Sequence, residues 1–380
     1  DYPNYFINCW NTAPISYVGQ YAAGIGGSFS SDYNYMTDCW NTGDITSTYA
    51  KTSSSGVAGV AGSFTGEATH CWNAGNVTCA GFGVSGFAGL GSGTLTECFN
   101  LGDVTSTYTG TPGANFCGAA GLWSQGANHA VNCYNMGNVT ANDRAAGLCG
   151  AMWKNASLSG CYNAGKVTIT GSGNSDVDAL CIFRNGADAT STDISGCFYD
   201  ATVNAHLPES AKGTALTTAE MFQADADGAF ITAPASYPRI EAFADNARAN
   251  FAAAQVALNG TDTPDNVTSA VTLAALPGVE WAASEHFELT EGTATPQKAG
   301  EATITATALD GQLSKTFLLT VTQITTGIDG INADSEIVNR VYYTIDVVQV
   351  PEPTAADGRV YVVIATYADG TMRSFKVVNK

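Results

Sequence analysis

The chain has 380 residues with 34 acidic and 15 basic side chains, which gives a formal net charge of −19 at pH 7. This balance argues against nucleic acid and anionic membrane as partners, because both require clustered basic residues. A hydrophobic share of 45% argues against general disorder, the length favours two or three domains, and no apolar run is long enough to span a bilayer.

The first 200 residues contain an internal repeat, which cysteine positions reveal. The motif is clearest in Cys71-Trp-Asn-Ala-Gly-Asn-Val-Thr and Cys133-Tyr-Asn-Met-Gly-Asn-Val-Thr, and it recurs roughly every 30 residues. An Ala-Gly-aliphatic element, as in Ala146-Gly147-Leu148, lies between successive motifs. The motif cysteines are Cys9, Cys39, Cys71, Cys98, Cys133, Cys161 and Cys197.

The repeat composition predicts strands and turns. Each unit has short stretches of Gly, Thr, Val, Ser and aromatic residues and lacks the long amphipathic runs of helical repeats. We therefore expect an all-β fold that begins with a β-solenoid of about seven coils, with like positions stacked about 4.8 Å apart. The glycines two residues after the motif asparagine are expected to take positive φ; they are Gly43, Gly75, Gly102, Gly137 and Gly165.

The cysteines are expected to be reduced and buried. A stacked column of small apolar side chains can fill a narrow coil interior. Disulfides are disfavoured because parallel side chains in register do not readily adopt the near-90° torsion of a disulfide. The remaining cysteines, Cys79, Cys117, Cys149 and Cys181, lie near the other repeat elements and are interpreted as packing residues.

The Cys-aromatic-Asn-x-Gly-x-Val-Thr motif, together with Ala146-Gly147-Leu148-Cys149-Gly150, resembles the GLUG-type repeats of bacterial surface proteins. Such repeats occur in large adhesins and in IgA-peptidase-like proteins. The resemblance covers about 200 residues and implies a cell-surface or secreted protein. It says little about activity, because the repeat is a scaffold.

Three further segments complete the predicted organisation. Residues 201–246 are interpreted as the cap of a solenoid spanning 1–246, with a capping box in Thr217-Thr-Ala-Glu220. Residues 247–323 alternate like half-buried strands, and Lys298–Ala308 resembles bacterial Ig-like domains, so a β-sandwich is expected. Residues 324–380 are similar to the small C-terminal β-domains of surface and secreted proteins of Bacteroidetes, some of which are sorting signals.

These resemblances imply export to the extracellular space or the outer cell surface. The chain starts at Asp1 without a signal segment, so we expect a mature or trimmed fragment.

The residue after each motif cysteine is the first candidate for ligand binding. If the cysteine points inward, strand alternation turns its neighbour outward and produces an aromatic stripe. Flat exposed rings suit sugar faces, although burial under an adjacent loop is the alternative. The predicted ligand-binding residues are Trp10, Trp40, Trp72, Phe99, Tyr134 and Tyr162. A ligand patch is sought first at the N-terminal end, where Tyr2, Tyr5, Tyr17, Tyr21, Tyr33, Tyr35 and Tyr49 add further rings.

Catalysis is not expected, but one alternative is kept. Polysaccharide lyases and glycosidases also use β-helices, and Asp176 and Asp178 could point two carboxylates the same way on a strand. Gly81–Gly86 matches a dinucleotide motif but lacks its βαβ context. The four histidines lack metal-site spacing, so no metal or other cofactor is predicted.

The sequence thus predicts a monomeric, adhesin-like surface protein whose solenoid binds a host surface protein or a glycan. Nucleic acid is not an expected partner, and no part of this fragment is expected to insert in a membrane. The alternatives are a carbohydrate-active β-helix enzyme and a purely structural surface stalk.

Overall fold

The computed structural model describes the chain except for residues 1, 51–53, 114, 172–175, 226–227, 257–264, 291, 310, 323–336, 345–347, 352–358, 368–371 and 379–380. The described part is almost entirely β, with α-helices only at Thr218–Met221 and Ala247–Val256. Neither of these described helices has the length and apolarity needed to cross a membrane. The fold is therefore all-β, as predicted.

Two compact units can be distinguished. The first contains Asp1–Asn259, Leu273–Trp281 and Ala306–Lys315; the second contains Gly260–Thr272, Ala282–Thr305 and Thr316–Lys380. The helix Ala247–Val256 lies within residues 247–323, for which a sandwich is expected, but it belongs to the first unit.

Each repeat contributes one short strand to each of several parallel sheets. Sheet 1 contains Asn4–Ile7, Asn34–Thr37, Ala61–Thr69, Ala88–Thr96, His129–Val131, Ser157–Ser159 and Asp193–Ser195, with Gly26–Phe29 beside Ala61–Thr69. Sheet 2 contains Trp10–Asn11, Trp40–Asn41, Trp72–Asn73, Phe99–Asn100, Tyr134–Asn135, Tyr162–Asn163, Phe198–Asp200 and Thr214–Leu216.

The other strands of the repeats form smaller parallel sheets. Sheet 3 contains Ile15–Tyr17, Ile45–Ser47, Val77–Cys79, Val104–Ser106, Val139–Ala141 and Val167–Ile169. Sheet 4 contains Val57–Ala58, Val84–Ser85, Ala119–Ala120, Ala145–Ala146 and Val177–Asp178. A further pair joins Cys149–Met152 to Cys181–Phe183.

The register between repeats follows the cysteine alignment. Trp72 pairs with Trp40 on one side and with Phe99 on the other, and Asn73 pairs with Asn41 and Asn100. Each strand therefore meets its own counterpart one repeat later. Equivalent side chains consequently form columns that run through successive repeats.

The two neighbours in the motif face opposite sides. The cysteines lie in an apolar core with Phe64, Leu95 and Trp123, whereas the rings that follow them lie in a separate apolar cluster. The amide N–H of Cys39 donates to Cys71 Sγ at 3.3 Å, and this contact recurs between successive motif cysteines. All eleven cysteines are free thiols, and all except Cys9 are buried.

The motif asparagines form a buried hydrogen-bond ladder. The Nδ2 of Asn100 donates to Asn135 Oδ1 and to the Gly102 carbonyl, both at 2.7 Å. Its own Oδ1 accepts from Asn73 Nδ2 at 2.7 Å. The same contacts run from Asn11 to Asn163, so one amide per repeat ties its own turn and the next repeat together.

The five motif glycines do not take positive φ, so that prediction was wrong. A Cβ on Gly102 would lie 2.0 Å from the Gly75 carbonyl oxygen, and the other four meet the preceding repeat in the same way. Glycine is required at these five positions because the backbone of the preceding repeat lies too close to leave room for a Cβ. The left-handed residue is instead the one before each cysteine; these are Asn8, Asp38, His70, Glu97, Asn132, Gly160 and Gly196, with φ from 51° to 60°.

Residues 201–256, here called the covering segment, follow the last repeat. They contain Thr214–Leu216, the helix Thr218–Met221, the antiparallel pair Phe230–Ala233 and Ser236–Ile240, the 3-10 turn Glu241–Phe243 and the helix Ala247–Val256. The predicted capping box is confirmed: Thr217 Oγ1 accepts from the Glu220 amide, and Glu220 Oε2 accepts from the Thr217 amide at 2.8 Å.

The remaining strands follow the covering segment in the chain. They are Asp265–Val267, Val271–Thr272, Val279–Ala283, Phe287–Thr290, Thr293–Pro296, Gly300–Ala308 and Leu313–Val321. Phe287–Thr290 and Thr293–Pro296 pair antiparallel, whereas Asp265–Val267 pairs parallel to the end of Leu313–Val321. The C-terminal strands Ile337–Thr344, Gln349–Val350, Val360–Tyr367 and Met372–Val378 form one antiparallel sheet. The Ala368-Asp-Gly370 sequence predicts a turn between the last two strands, and these residues lie outside the described part of the chain.

The asparagine ladder gives a stability prediction. Asn100→Ala removes the acceptor of one Asn73 Nδ2 N–H and the Nδ2 donor to both Asn135 Oδ1 and the Gly102 carbonyl, so we expect the free energy of unfolding to fall by about 2–4 kcal/mol. Asn11→Ala is the control, because Asn11 is only half-buried and water can replace its contacts. Urea unfolding followed by far-UV circular dichroism measures both. Equal losses in the two variants would contradict the ladder's proposed role.

Thiol accessibility gives a second prediction. Burial raises the pKa of Cys117 and of Cys149 to about 12, so neither thiol forms the reactive thiolate at pH 8. We expect iodoacetamide to label only Cys9 in the native chain and all eleven cysteines in denaturant. Mass spectrometry counts the labels, and Cys9→Ser should remove the native one. Labelling of buried cysteines in the folded chain would be inconsistent with the packed column.

Candidate functional site

The aromatic residues of sheet 2 form one continuous column of stacked rings. Ring centroids are 6.0 Å apart between Trp10 and Trp40, 5.4 Å between Trp40 and Trp72, and 4.7 Å between Phe99 and Tyr134. Neighbouring rings in the whole column, from Trp10 to Phe198, are tilted by no more than 15°. Parallel pairing in register places these rings over one another, and offset stacking adds a small favourable term at each step.

The covering segment lies on the outer side of this column. The ring of Phe243 packs edge-on against Phe99 at 4.9 Å, and Phe230 does the same against Tyr162 at 5.3 Å. The Arg248 guanidinium lies 5.2 Å from the centre of the Trp40 ring. The residues that pack on the outer side of the column, Phe230, Phe243 and Arg248, thus lie at least 30 positions after the last repeat in the sequence.

The prediction of an exposed stripe is therefore wrong for four of its six residues. Trp72, Phe99, Tyr134 and Tyr162 are each at most 1% exposed. The alternation argument did place the rings on the side opposite the cysteine core. The rings are inaccessible because the covering segment packs on that side, so these four residues belong to the core and cannot contact a ligand.

Two tyrosine hydroxyls of this interface have internal acceptors. The Tyr162 hydroxyl donates to the Pro238 carbonyl, and the Tyr237 hydroxyl donates to the buried Asp200 carboxylate at 2.8 Å. Burial raises the pKa of the Tyr134 and Tyr162 phenols above the ordinary value. Both phenols stay neutral at physiological pH, which fits a structural role.

The exposed rings lie at the N-terminal end of the column. We call Tyr2, Tyr5, Trp10, Tyr17 and Tyr33 the N-terminal patch. Trp10 is 63% exposed and rests on the half-buried Trp40, while Tyr5 is 65% exposed and stacks on Tyr35 at 5.3 Å. Of the six predicted ligand-binding residues, Trp10 is accessible and Trp40 is partly so. The sequence signal for this patch is the density of tyrosine there.

The two candidate catalytic acids have separate structural partners. Asp178 is buried, and its Oδ1 accepts from the Leu180 amide at 2.7 Å and from Ser210 Oγ at 2.9 Å, while its Oδ2 is paired with Lys212. It therefore anchors the covering segment to the repeats. Asp176 is exposed and paired with Arg184, with Arg144 Nε 3.9 Å away. Each carboxylate is held by its own cations, so this arrangement does not present a facing pair of free carboxylates.

The histidines do not assemble a metal centre. His70 lies between two acids, with its Nε2 2.8 Å from Glu97 Oε2 and its Nδ1 3.6 Å from Asp38 Oδ1. In the part of the chain that the structure describes, no three His, Cys, Asp or Glu side chains are grouped so that they could hold an ion.

Comparison with known proteins gives no relative: no protein-family model, no curated protein and no solved structure matches this chain.

The contacts of Asp178 predict that its loss destabilises the protein more than the loss of Asp176. Asp178→Ala leaves Lys212 half-buried without its counter-charge and removes a buried acceptor, so we expect the repeat region to lose about 3–5 kcal/mol of stability. Asp176→Ala, at an exposed ion pair, should cost less than about 1 kcal/mol. Urea unfolding of both variants measures the difference. A stable Asp178→Ala protein would contradict the anchoring role.

Proposed function

We propose that the repeats form a β-solenoid of about seven coils with the covering segment as its C-terminal cap, followed by an Ig-like β-sandwich in the strands from Asp265 to Val321 and a small β-domain in 324–380. The parallel, in-register pairing of each strand with its counterpart one repeat later supports the solenoid. The antiparallel pairs Phe287–Thr290 with Thr293–Pro296, and Val360–Tyr367 with Met372–Val378, support β-domains in the remainder.

We further propose that this protein is exported and acts as an adhesin-like binding protein. The observation that carries the proposal is the exposure of the aromatic residues in the N-terminal patch. The rings of the column from Trp72 to Phe198 are, in contrast, buried. Contiguous exposed apolar surfaces mark contact sites, and Tyr2, Tyr5, Trp10, Tyr17 and Tyr33 are the exposed aromatic residues that would form one here. The resemblance to repeats of bacterial surface proteins supports a role outside the cell.

The chemistry of the patch favours an uncharged partner. Residues 2–31, which include four of the five patch residues, contain no acidic, basic or histidine side chain, although Asp32 precedes Tyr33 and the whole chain carries a formal charge of −19. Recognition there would depend on ring faces, hydroxyls and backbone groups. A neutral glycan and a polypeptide both satisfy this requirement.

A structural surface stalk is the second candidate. It is favoured by the stacked column, because a repeat array whose rings are buried from Trp72 to Phe198 provides rigidity without a ligand. The two candidates differ in whether the N-terminal patch binds anything. The carbohydrate-active enzyme receives no comparable support, since Asp176 and Asp178 are both paired with cations.

A binding assay distinguishes these functions. We expect the full chain to bind a subset of neutral glycans on an array, or a host extracellular protein on coated plates. Trp10→Ala should weaken that binding at least tenfold, because it removes the largest exposed ring of the patch. Leu318→Ala is the matched control, an exposed apolar residue in the second unit. Binding that is unchanged in Trp10→Ala would contradict the placement of the site at this patch.

A further inference from the structure

A buried lysine–carboxylate pair joins the covering segment to the last repeat. Asp178 is 8% exposed, and its Oδ2 contacts the Nζ of Lys212, which lies 34 positions later in the chain. The same Nζ lies 5.2 Å from the centre of the Phe183 ring. By comparison, the Lys298–Glu285 pair is exposed, with Nζ and Oε1 3.4 Å apart. Burial excludes the water that separates and screens an ordinary surface pair, so the first pair is chemically distinct from the second.

The buried carboxylate stands where the preceding repeats have small side chains. Sheet 4 pairs Asp178 with Ala146, and the same column contains Ala120, Ser85 and Ala58. All of these residues are buried. A carboxylate enters the column only in the last of these strands, where the covering segment meets the repeats. Burying a charge there is costly without a partner, so the lysine and the carboxylate require each other.

The two oxygens of the Asp178 carboxylate have different surroundings. Oδ1 accepts from the Leu180 amide at 2.7 Å, from the Cys181 amide at 3.1 Å and from the Ser210 hydroxyl at 2.9 Å. Oδ2 faces the Lys212 amine. Several preorganised donors on one oxygen stabilise the negative charge that develops there when a nucleophile adds to the attached carbon. Oδ1 is therefore placed to hold that charge, and Oδ2 is placed to leave.

The backbone around Lys212 is fixed against the last repeat. The Thr214 amide donates to the Cys197 carbonyl at 2.9 Å. A Cβ on Gly213 would lie 2.4 Å from Leu180 Cδ1, so glycine allows this part of the covering segment to approach the core closely. The amine is thereby held beside the carboxyl group. Such positioning gives a nucleophile a high effective concentration at its target.

We propose that Lys212 and Asp178 form an intramolecular isopeptide bond. Proton transfer from Nζ to Oδ2 within the pair gives a neutral amine and a carboxylic acid. The Nζ lone pair then adds to Cγ, and the charge on Oδ1 is held by the donors from Leu180, Cys181 and Ser210. A second proton passes from Nζ to Oδ2, the Cγ–Oδ2 bond breaks and water leaves. The hydrogens of the ammonium group end in the amide and in the water, so the reaction needs no oxidant, cofactor or further reactant.

The bond gives the covering segment a covalent attachment to the repeats. It closes the loop of chain between positions 178 and 212, and a cross-link of this kind restricts the unfolded chain as well as the folded one. Local opening of the non-covalent contacts would then leave the segment beside the last repeat. The segment that buries the aromatic column is thus retained when its own packing is disturbed.

The mass of the full chain, denatured and reduced, tests the proposal. We expect at least half of the wild-type molecules to be lighter than the sequence mass by one water molecule. Lys212→Arg keeps the positive charge but replaces the amine with a guanidinium that stays protonated and does not add to the carboxyl carbon, so it should show its full sequence mass. Lys298→Arg is the matched control at the exposed pair and should lose one water molecule as the wild type does.

Tryptic digestion locates the bond. Trypsin does not cleave after an acylated lysine, so the wild-type chain should release residues 167–184 joined to residues 185–239, which end at Arg184 and Arg239. Tandem mass spectrometry of this branched peptide identifies the two linked residues. Because the measurement uses the wild-type chain, it decides the question even if Lys212→Arg does not fold. Loss of water by cyclisation at an Asp-Gly sequence elsewhere would leave all peptides unbranched.

Three results would overturn the proposal. The full sequence mass, with residues 167–184 and 185–212 released as separate peptides, would show that Lys212 and Asp178 form only an ion pair. Loss of water without the branched peptide would place the modification elsewhere. A branched peptide found only in a species of twice the chain mass would place the bond between two copies. None of these results bears on the proposed function, which the binding of Trp10→Ala tests separately.

Discussion

Register between repeats is the constraint on which the rest of this structure depends. The asparagine amide enforces it, because its Nδ2 reaches both the Gly carbonyl of its own turn and the Oδ1 of the next asparagine, and a shift by one residue would break every one of these buried bonds. Once the register is fixed, the rings stack, the cysteines align, and each motif glycine comes too close to the preceding repeat for a Cβ. The repetition of the motif is thus a consequence of one hydrogen-bond geometry used many times.

The register could be predicted from the sequence because the motif marks the same point in each repeat. The capping box at Thr217 was also predictable, since it depends on residues three positions apart. Burial of the aromatic column was not predictable in this way. It depends on Phe230, Pro238 and Phe243, which have no distinctive local motif and meet the rings only after the chain folds back. The positive φ of the residue before each cysteine was also not predictable. His70 and Glu97 occupy this position in two repeats, although Asn and Gly are the residues that usually adopt the left-handed conformation.

The position after the motif glycine shows how a pattern can be visible while its cause is not. Asp44, Asn76, Asp103 and Asn138 occupy this position. Asp44 and Asp103 each accept from the amide of the next repeat at 2.8 Å, and Asn76 and Asn138 do so at 3.0 and 3.1 Å. A short side chain with a terminal oxygen is what the site needs, and both residue types supply it. Lys166 occupies this position before Val167–Ile169, the terminal strand of sheet 3, where no following strand of that sheet needs an acceptor.

The first and last described repeats differ in how their aromatic rings are covered. In a linear array each repeat is stabilised mainly by its nearest neighbours, so a terminal repeat has about half of the interfaces of an internal one. At the C-terminal end the covering segment restores them through Thr214–Leu216 and through Asn204, whose Oδ1 accepts from the Val167 amide at 3.0 Å. In the first repeat the ring of Trp10 pairs with Trp40 and is 63% exposed, whereas Trp72, Phe99, Tyr134 and Tyr162 are each at most 1% exposed. Burial of the aromatic column therefore follows the covering segment, because the rings are buried where Phe230 and Phe243 pack against them and exposed at Trp10.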